Sequence, residues 1–544
     1  MKLHSSKWYL VLFLLGFLSM GYELLLSSAI GLITSQPVLG FGVVLCAYML
    51  GLAFGSLLVD RLPKSDDLGR LIRVELGLVC VAVVLSVALG FVELILGSHY
   101  GTDLAESMRF PFAAKVYLGY GFLCSLVVGT LTGFELPLVF KSLEQSALSY
   151  SGRLMGFNYF GNLFGGVFVP IFFVPGFGVE TSFLVLGFLN LFLCFSLVLF
   201  ERRMNVKEGV AVFFVSLFLF GGVVSLPGFK DVYLKARYSS SQFNVFRFSD
   251  WDNFFKALQF QPKTHRVNTP YQRIDHVFQR IYDRRFGNEP KQYYALFLEG
   301  HLQFAEVEHE EYHRSMVELA ANSHTGSDVR RVLILGGGDG ILARTVLDQW
   351  PTVEHIQMIE LDEGMLSEAK RHPVLKKLHR NVFDEERLRV QVSDAFVYVN
   401  RPIEGRPYDV VFVDFPFPNS FDLMRLYSLE FYQGLGQFLS QTGVLVLDYP
   451  LETNLKTDEQ FKSEYRNKVI AATLKAAGFQ YLLGFGANNP FVWASKKQAP
   501  NLNMTNSQFS GPASENFKLW PTLNDIEPDP SLVNSIYRPR GLRN

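Results

Sequence analysis

About seven apolar runs fill the first 228 residues, each long enough to cross a bilayer, and they limit what that part of the chain can become. A helix needs roughly 20 apolar residues to span a hydrocarbon core of about 30 Å. Inside hydrocarbon the backbone must also satisfy its own hydrogen bonds, which selects helices for such runs. The runs cover about 8–30, 37–59, 71–97, 114–140, 155–176, 179–200 and 208–227. The first follows Lys2 and Lys7, as a signal peptide would, but it is too long for an h-region and has no small-x-small cleavage site, so a retained helix is expected. From Lys230 onward charged residues are frequent, so the overall figures of 19% charged residues and a formal net charge of -1 average two unlike halves. The chain is also too long for one compact core.

Several carboxylates fall in or beside these runs: Glu23, Glu75, Glu93 and Glu135. Intramembrane acids are costly, which makes an amine or proton path one reading. The other places Glu75 and Glu93 at interfaces and has Glu23 and Glu135 hydrogen-bonding between helices. Gly161, Gly165 and Gly166 suit close helix packing. All four cysteines (Cys46, Cys80, Cys124 and Cys194) lie in the apolar runs, so neither a disulfide framework nor a thiolate metal cluster is expected in the second half. A near-neutral charge balance without a basic block argues against nucleic acid as a partner.

The second half reads as an α/β domain. Tyr294–Leu298 and Leu302–Phe304 flank Glu299, Gly300 and His301 as a β-hairpin. Strands are then expected at Val332–Leu335, Ile356–Glu360, Leu388–Val392, Val410–Val413 and Val444–Leu447, with helices between them, including one over 422–440. That alternation predicts right-handed βαβ units and a parallel, doubly wound sheet. Four domains follow: a transmembrane domain over 1–228, a linker and β-hairpin region that gates substrate over 229–320, a Rossmann-type catalytic domain over 321–497 and a disordered tail over 498–544. The tail boundary rests on composition rich in Asn, Ser and Pro.

Ligands bind outside the carboxyl ends of strands in such sheets. Four strands here lead to Asp339, Glu360, Asp394 and Asp414. Gly336, Gly337, Gly338 and Gly340 let the backbone approach a ligand. Glu360 follows by about 20 residues, the spacing at which an acid takes a ribose hydroxyl pair. A nucleoside is therefore expected, with Asp394 at its base. A pyrophosphate is disfavoured, because Asp339 would sit beside it; the same acid suits the positive end of an S-adenosyl group or an amine. Asp339 and Asp394 also fit helix N-caps.

The segments Leu333–Gly340, Ile359–Asp362, Ser393–Ala395 and Asp414, with Thr269–Ile274, Leu298–Gln303 and Glu311–His313 upstream, resemble the motifs of the polyamine aminopropyltransferase (spermidine synthase) family. The likeness covers about 265–495 and extends more loosely to the membrane-attached bacterial branch of that family. It implies a class I methyltransferase-like fold and no metal or prosthetic group. It further implies transfer of an aminopropyl group from decarboxylated S-adenosylmethionine to a diamine such as putrescine, giving spermidine and methylthioadenosine. By the same likeness Glu360 holds the ribose and Asp394 faces the adenine, while Gln272 and Gln303 line the channel. Asp339 sits by the aminopropyl group, Tyr312 and His313 lie near the amine, and Asp414 accepts its proton. A homo-oligomer is implied as well.

The sequence also departs from that family. Phe417 replaces a second acid after Asp414, Arg314 and Glu318 replace a Glu and a His, and Gly484–Pro490 lacks the usual Tyr and Pro pattern. Two other readings remain open: a methyltransferase using intact S-adenosylmethionine, or a degenerate sensor or transporter of polyamines or nucleosides. An inner-membrane protein with a cytoplasmic catalytic domain is expected. The bias of Lys and Arg puts the N-terminus in the cytoplasm, so an odd number of crossings conflicts with that expectation.

Overall fold

The computed structural model describes residues 2–34, 37–61, 66–100, 111–143, 151–201, 206–243, 264–281, 291–298, 300–306, 309–323, 329–402, 405–416, 418, 421–448, 451–453, 455–486, 490–500 and 518–540. The chain divides into two compact units, Met1–Gln292 and Tyr293–Asn544.

The first unit is built from α1 (Lys2–Thr34), α2 (Pro37–Leu58), α3 (Asp67–Tyr100), α4 (Pro111–Ser142), α5 (Ser151–Phe168), α6 (Val179–Glu201) and α7 (Val206–Phe243). Among the described residues, 7 helical stretches are long and apolar enough to cross a membrane, in nearly the ranges expected. Their inward faces carry Leu12, Leu15, Leu25, Leu78 and Leu186, all fully buried, while Phe213, Phe214, Leu217 and Phe220 of α7 are exposed. Apolar outer surfaces of this kind mark contact with a membrane or with another protein. Two of the three glycines singled out in α5 are needed for packing. A Cβ on Gly161 would lie 2.0 Å from the carbonyl oxygen of Phe13 in α1, and one on Gly165 would lie 2.4 Å from that of Phe17. Gly166 meets only the Met20 side chain, at an ordinary 3.7 Å.

The acids depart from the interface reading. Glu75 is fully buried and accepts a hydrogen bond from Asn190 of α6 at 2.6 Å. Glu93 is buried too and accepts from Tyr233 of α7. Helix α7 runs on to Phe243, past the composition change near 228. It meets the antiparallel pair β1 (Thr264–Asn268) and β2 (Arg273–Ile281), where Arg266 makes a two-pronged ion pair with buried Asp275 at 2.7 and 2.8 Å and Tyr238 donates to the same carboxylate. A buried charge needs such a partner.

The second unit opens with the antiparallel hairpin β3 (Lys291–Leu298) and β4 (His301–Ala305), with Gly300 at φ 84° in the turn, as its sequence suggested. Next come α8 (His309–Ser323), β5 (Arg331–Gly336), α9 (Ile341–Gln349), β6 (His355–Glu360), α10 (Glu363–Arg371), β7 (Leu388–Val392), α11 (Ala395–Val399), β8 (Tyr408–Asp414), α12 (Leu429–Phe438), β9 (Leu439–Asp448), α13 (Tyr465–Ala476), β10 (Tyr481–Gly486), β11 (Pro490–Ser495) and β12 (Lys518–Trp520). The sheet runs β12-β10-β11-β9-β8-β5-β6-β7. Strands β5 to β9 are parallel, as expected for a doubly wound α/β domain. The expectation of a wholly parallel sheet fails at its other end, where β11 pairs antiparallel with β9 and β10, and β12 with β10. A parallel return needs a crossover of a dozen or more residues, and the link between β10 and β11 is too short for one. The helix read over 422–440 is broken in two: a short helical stretch over 421–427 ends at Ser428, whose hydroxyl accepts from the Phe431 amide and starts a new helix at Leu429.

The tail reading fails for residues 518–540. Strand β12 joins the sheet edge, Trp520 stacks on Phe461 with rings 4° from parallel, and Leu523 and Ile526 are buried. Composition understated this segment because a few apolar residues, Trp520, Leu523 and Ile526 among them, are enough to pack it on the core. Leu523→Ala is expected to cost about 2–5 kcal/mol. Thermal unfolding of the full-length chain checks this: the midpoint of the second unit should fall by several degrees, whereas an unchanged midpoint means that the segment contributes no packing.

Candidate active site

Five parallel strands of the second unit deliver polar groups to one edge of the sheet, and burial holds them there. Strand β5 is apolar throughout Val332–Leu335 and fully buried, so its direction is fixed before the chain turns at Gly336. Gly336 takes φ 88°, and a Cβ there would stand 2.1 Å from the carbonyl oxygen of Asp414 on the adjacent β8. At Gly338 a Cβ would come within 2.6 Å of Glu360 Oε2. The loop thus brings β5, β6 and β8 together closely enough to exclude side chains.

Asp339 lies in this loop and accepts from the Ile341 amide at 2.8 Å, so the helix-capping contact is made. Burial pushes its carboxyl up to about 6, against the hydrogen bond and the His379 and Arg344 charges. Glu360 ends β6 and accepts from the Asp362 amide at 2.9 Å. It is pushed up to about 7, chiefly by burial and then by the Asp362 and Asp339 charges. Asp394 caps α11 through the Phe396 amide at 2.8 Å, and its other oxygen pairs with Arg425 at 2.6 Å. Arg425 was not foreseen; no local pattern ties it to an acid 31 residues away.

Asp414 ends β8 and Asp448 ends β9. Between them stands Tyr312 of α8, whose hydroxyl lies 2.9 Å from Asp414 Oδ1 and 2.7 Å from Asp448 Oδ2. A phenol has one proton, so one contact is donated by Tyr312 and the other is completed when a carboxyl keeps its own proton. Burial raises both acids, Asp448 to about 7; the Asp414 charge adds to that shift, and the Asp339 charge raises Asp414. Asp448 was missed, although it follows an apolar strand just as Asp414 does. The same carboxylates, together with burial, hold the Tyr312 hydroxyl well above its usual range. His313 is buried beside them. Its Nδ1 donates to the His309 carbonyl at 2.7 Å, and burial pulls the ring down to about 4, so it is a neutral group at neutral pH.

The remaining sequence candidates sit on other elements or outside the described residues. Gln303 stands half-buried on β4 beside Phe304, whose ring packs on Tyr294 at 6.1 Å. Tyr294 in turn is close enough to Asp339 to feel its charge. Gln272 belongs to the first unit, where its main chain closes a turn with Thr269. Arg314 is exposed and pairs with Glu318 at 3.7 Å, so these two departures from the family neutralise each other. Phe417 and Glu299 lie outside the described residues.

A buried carboxylate pair predicts a stability profile. Acids whose folded pKa exceeds the unfolded value bind more protons when folded, so stability falls as pH rises from the ordinary carboxylate range through about 7. Asp448→Asn removes one such group, and its thermal midpoint should gain on the wild type above pH 7 and match it near pH 4. Parallel melting curves across that range test the sign.

The spermine/spermidine synthase domain family matches residues 309–475. Polyamine aminopropyltransferase 2 of Ralstonia nicotianae is 27% identical over 475 residues, 87% of this chain and 82% of that protein. Polyamine aminopropyltransferase 1 of Streptomyces coelicolor is 29% identical over 480 residues, 86% of this chain and 79% of that one. Among solved structures, the spermidine synthase of Thermotoga maritima covers 46% of this chain and 76% of its own at 22% identity, with a TM-score of 0.34. The domain match spans β5 through β9 and the acids at their ends, so the part of the chain that carries those acids is similar to the spermine/spermidine synthase domain and to polyamine aminopropyltransferases.

Proposed function

We propose that this enzyme is anchored in a membrane by its helical unit and transfers the aminopropyl group of decarboxylated S-adenosylmethionine to a diamine such as putrescine, giving spermidine and methylthioadenosine. The observation that carries the choice of acceptor is the buried pair Asp414 and Asp448 on one tyrosine hydroxyl. Two acids in one apolar recess favour a cationic guest, because an ammonium ion offsets the charge that burial makes costly. Asp448 supplies the second carboxylate that Phe417 removes from the family's usual place after Asp414.

In this reading Glu360 accepts the ribose hydroxyls and the loop from Gly336 to Gly338 lies under the nucleoside. Asp394, already held by two backbone amides and Arg425, shapes the adenine end. Asp339 faces the positive sulfonium side of the co-substrate, where a carboxylate-bearing S-adenosylmethionine would be repelled. Gln303 lines the channel, with Tyr312 and His313 beside the amine. The amine nitrogen attacks the propyl carbon bonded to sulfur. Its lone pair forms the new C–N bond, the C–S electrons return to sulfur as a neutral thioether, and Asp414 takes the surplus proton. The sulfonium is already a good leaving group, so orientation supplies much of the rate.

The seven long apolar helices support anchoring, and the supply of a nucleoside co-substrate supports a cytoplasmic second unit. A C-terminal reporter read from each side of the membrane tests the placement; signal from the outer side overturns it. The chemistry is tested with full-length enzyme in detergent, either nucleoside, a panel of diamines and mass analysis of products. An aminopropylated diamine and methylthioadenosine are expected. A methylated product from intact S-adenosylmethionine overturns the reading, as does nucleoside binding without turnover on any diamine.

A further inference from the structure

The helical unit has a polar interior that the transfer reaction does not use. Glu75 of α3, Asn190 of α6 and Tyr22 of α1 are each 0% exposed, and Glu135 of α4 is 3% exposed. Tyr22 donates to Asn190 Oδ1 at 2.7 Å, and Asn190 Nδ2 donates to Glu75 Oε2 at 2.6 Å. This chain of donors ends on one oxygen of Glu75. Among the described residues, Glu75 Oε1 and Glu135 Oε1 are both buried with no hydrogen-bond partner. The two carboxylates interact electrostatically with each other and with the Tyr22 hydroxyl, so the two acids belong to one cluster. Tyr48 of α2 borders it, with its own hydroxyl donating to the Ser19 carbonyl at 2.9 Å.

A purely structural role does not account for this arrangement. Acids that serve as glue between helices have their oxygens satisfied, and a carboxylate oxygen buried without a donor costs free energy. The missing element is a donor, and one that carries positive charge would also offset the cost of burying two acids. Metal ions are poorly served, since hard cations take six or more oxygen ligands and no group of three metal-ligating side chains occurs among the described residues. A primary ammonium has three N–H donors and suits two carboxylate oxygens with aromatic rings alongside.

We infer that Glu75 and Glu135, positioned by Asn190 and Tyr22, form a second amine-binding site inside the helical unit that takes a primary ammonium group. The site is separate in sequence and in unit from the carboxylates of the second unit. Only the choice of an aliphatic diamine as the guest rests on the proposed function.

The test uses the full-length protein in detergent and radiolabelled putrescine as the probe. Equilibrium binding should resolve two sites in the wild type. Asp414→Asn with Asp448→Asn should weaken one, and Glu75→Gln with Glu135→Gln should weaken the other at least tenfold while leaving aminopropyl transfer unchanged. Unchanged two-site binding in the Glu75→Gln, Glu135→Gln protein overturns the inference, as does loss of all binding in the Asp414→Asn, Asp448→Asn protein. A second measurement on the wild type avoids dependence on folded variants. Dicyclohexylcarbodiimide should label Glu75 or Glu135, with putrescine reducing the labelling several-fold; labelling that putrescine does not reduce counts equally against the site. If the chain transfers no aminopropyl group to any diamine yet the Glu75 and Glu135 site still binds putrescine, the proposed function fails and this inference stands.

Discussion

Asp414→Asn is expected to lower turnover by about 10²–10⁴-fold, the usual range for loss of a positioned base, while methylthioadenosine binding changes little. The substitution keeps the size of the side chain and removes its ability to take the amine proton. Asp414 sits 2.9 Å from Tyr312 and is raised by burial and by the Asp339 charge, so it holds a proton more readily than an exposed aspartate would. Asp448, raised to about 7, is the alternative acceptor. If it were the base, Asp448→Asn would carry the larger loss and Asp414→Asn the smaller. The pH profile of kcat/KM separates the two. In the wild type the rate should rise as pH passes through about 7 and Asp448 ionises; the variant lacking Asp448 should lose or shift that limb. Single-turnover rates of both variants with saturating nucleoside give the comparison directly, and a normal rate for Asp414→Asn removes that residue from the chemistry.

Glu360→Gln should weaken methylthioadenosine binding by about 10–150-fold, the equivalent of losing hydrogen bonds to a charged acceptor worth about 1.5–3 kcal/mol. Glu360 is buried at the end of β6 and its carboxyl is pushed up to about 7. Accepting from ribose hydroxyls needs the ionised form, so wild-type affinity should strengthen as pH rises through that value. The Gln variant should bind weakly at every pH. Calorimetric titration at several pH values distinguishes this from a site in which Glu360 merely supports the loop, where affinity would drop without any change in its pH dependence. The close approach of Gly338 to Glu360 Oε2, with 2.6 Å to a built Cβ, makes the loop and the acid a single unit. A residue with a side chain at 338 would therefore disturb nucleoside binding as well.

The strands β5 to β9 and the glycine turn were legible because each is a local signal. A run such as Val332–Leu335 is apolar on both faces only when both faces are covered, and glycines at 336–338 permit an approach that other residues forbid. The same logic fixed the 7 long apolar helices and the hairpin around Gly300. That acids follow several strands was visible too, and applied to β9 the pattern would have named Asp448.

Other features had no local signal. Tyr312 reaches Asp414 and Asp448 across separations of 102 and 136 residues, and only the stacking of α8 on the sheet decides that both acids share one hydroxyl. Arg425 reaching Asp394, the antiparallel end of the sheet and the docking of 518–540 depend likewise on which surfaces meet. In the helical unit an acid four residues into an apolar run looks the same whether it faces an interface or a partner; the placement of Asn190 on α6 decided that Glu75 is interior. The sequence by itself determined the elements and the chemical classes at their ends, because backbone preference and apolar periodicity act over a few residues. The tertiary structure alone decided which charged groups face one another, because that depends on how distant faces pack and on the low dielectric this packing creates.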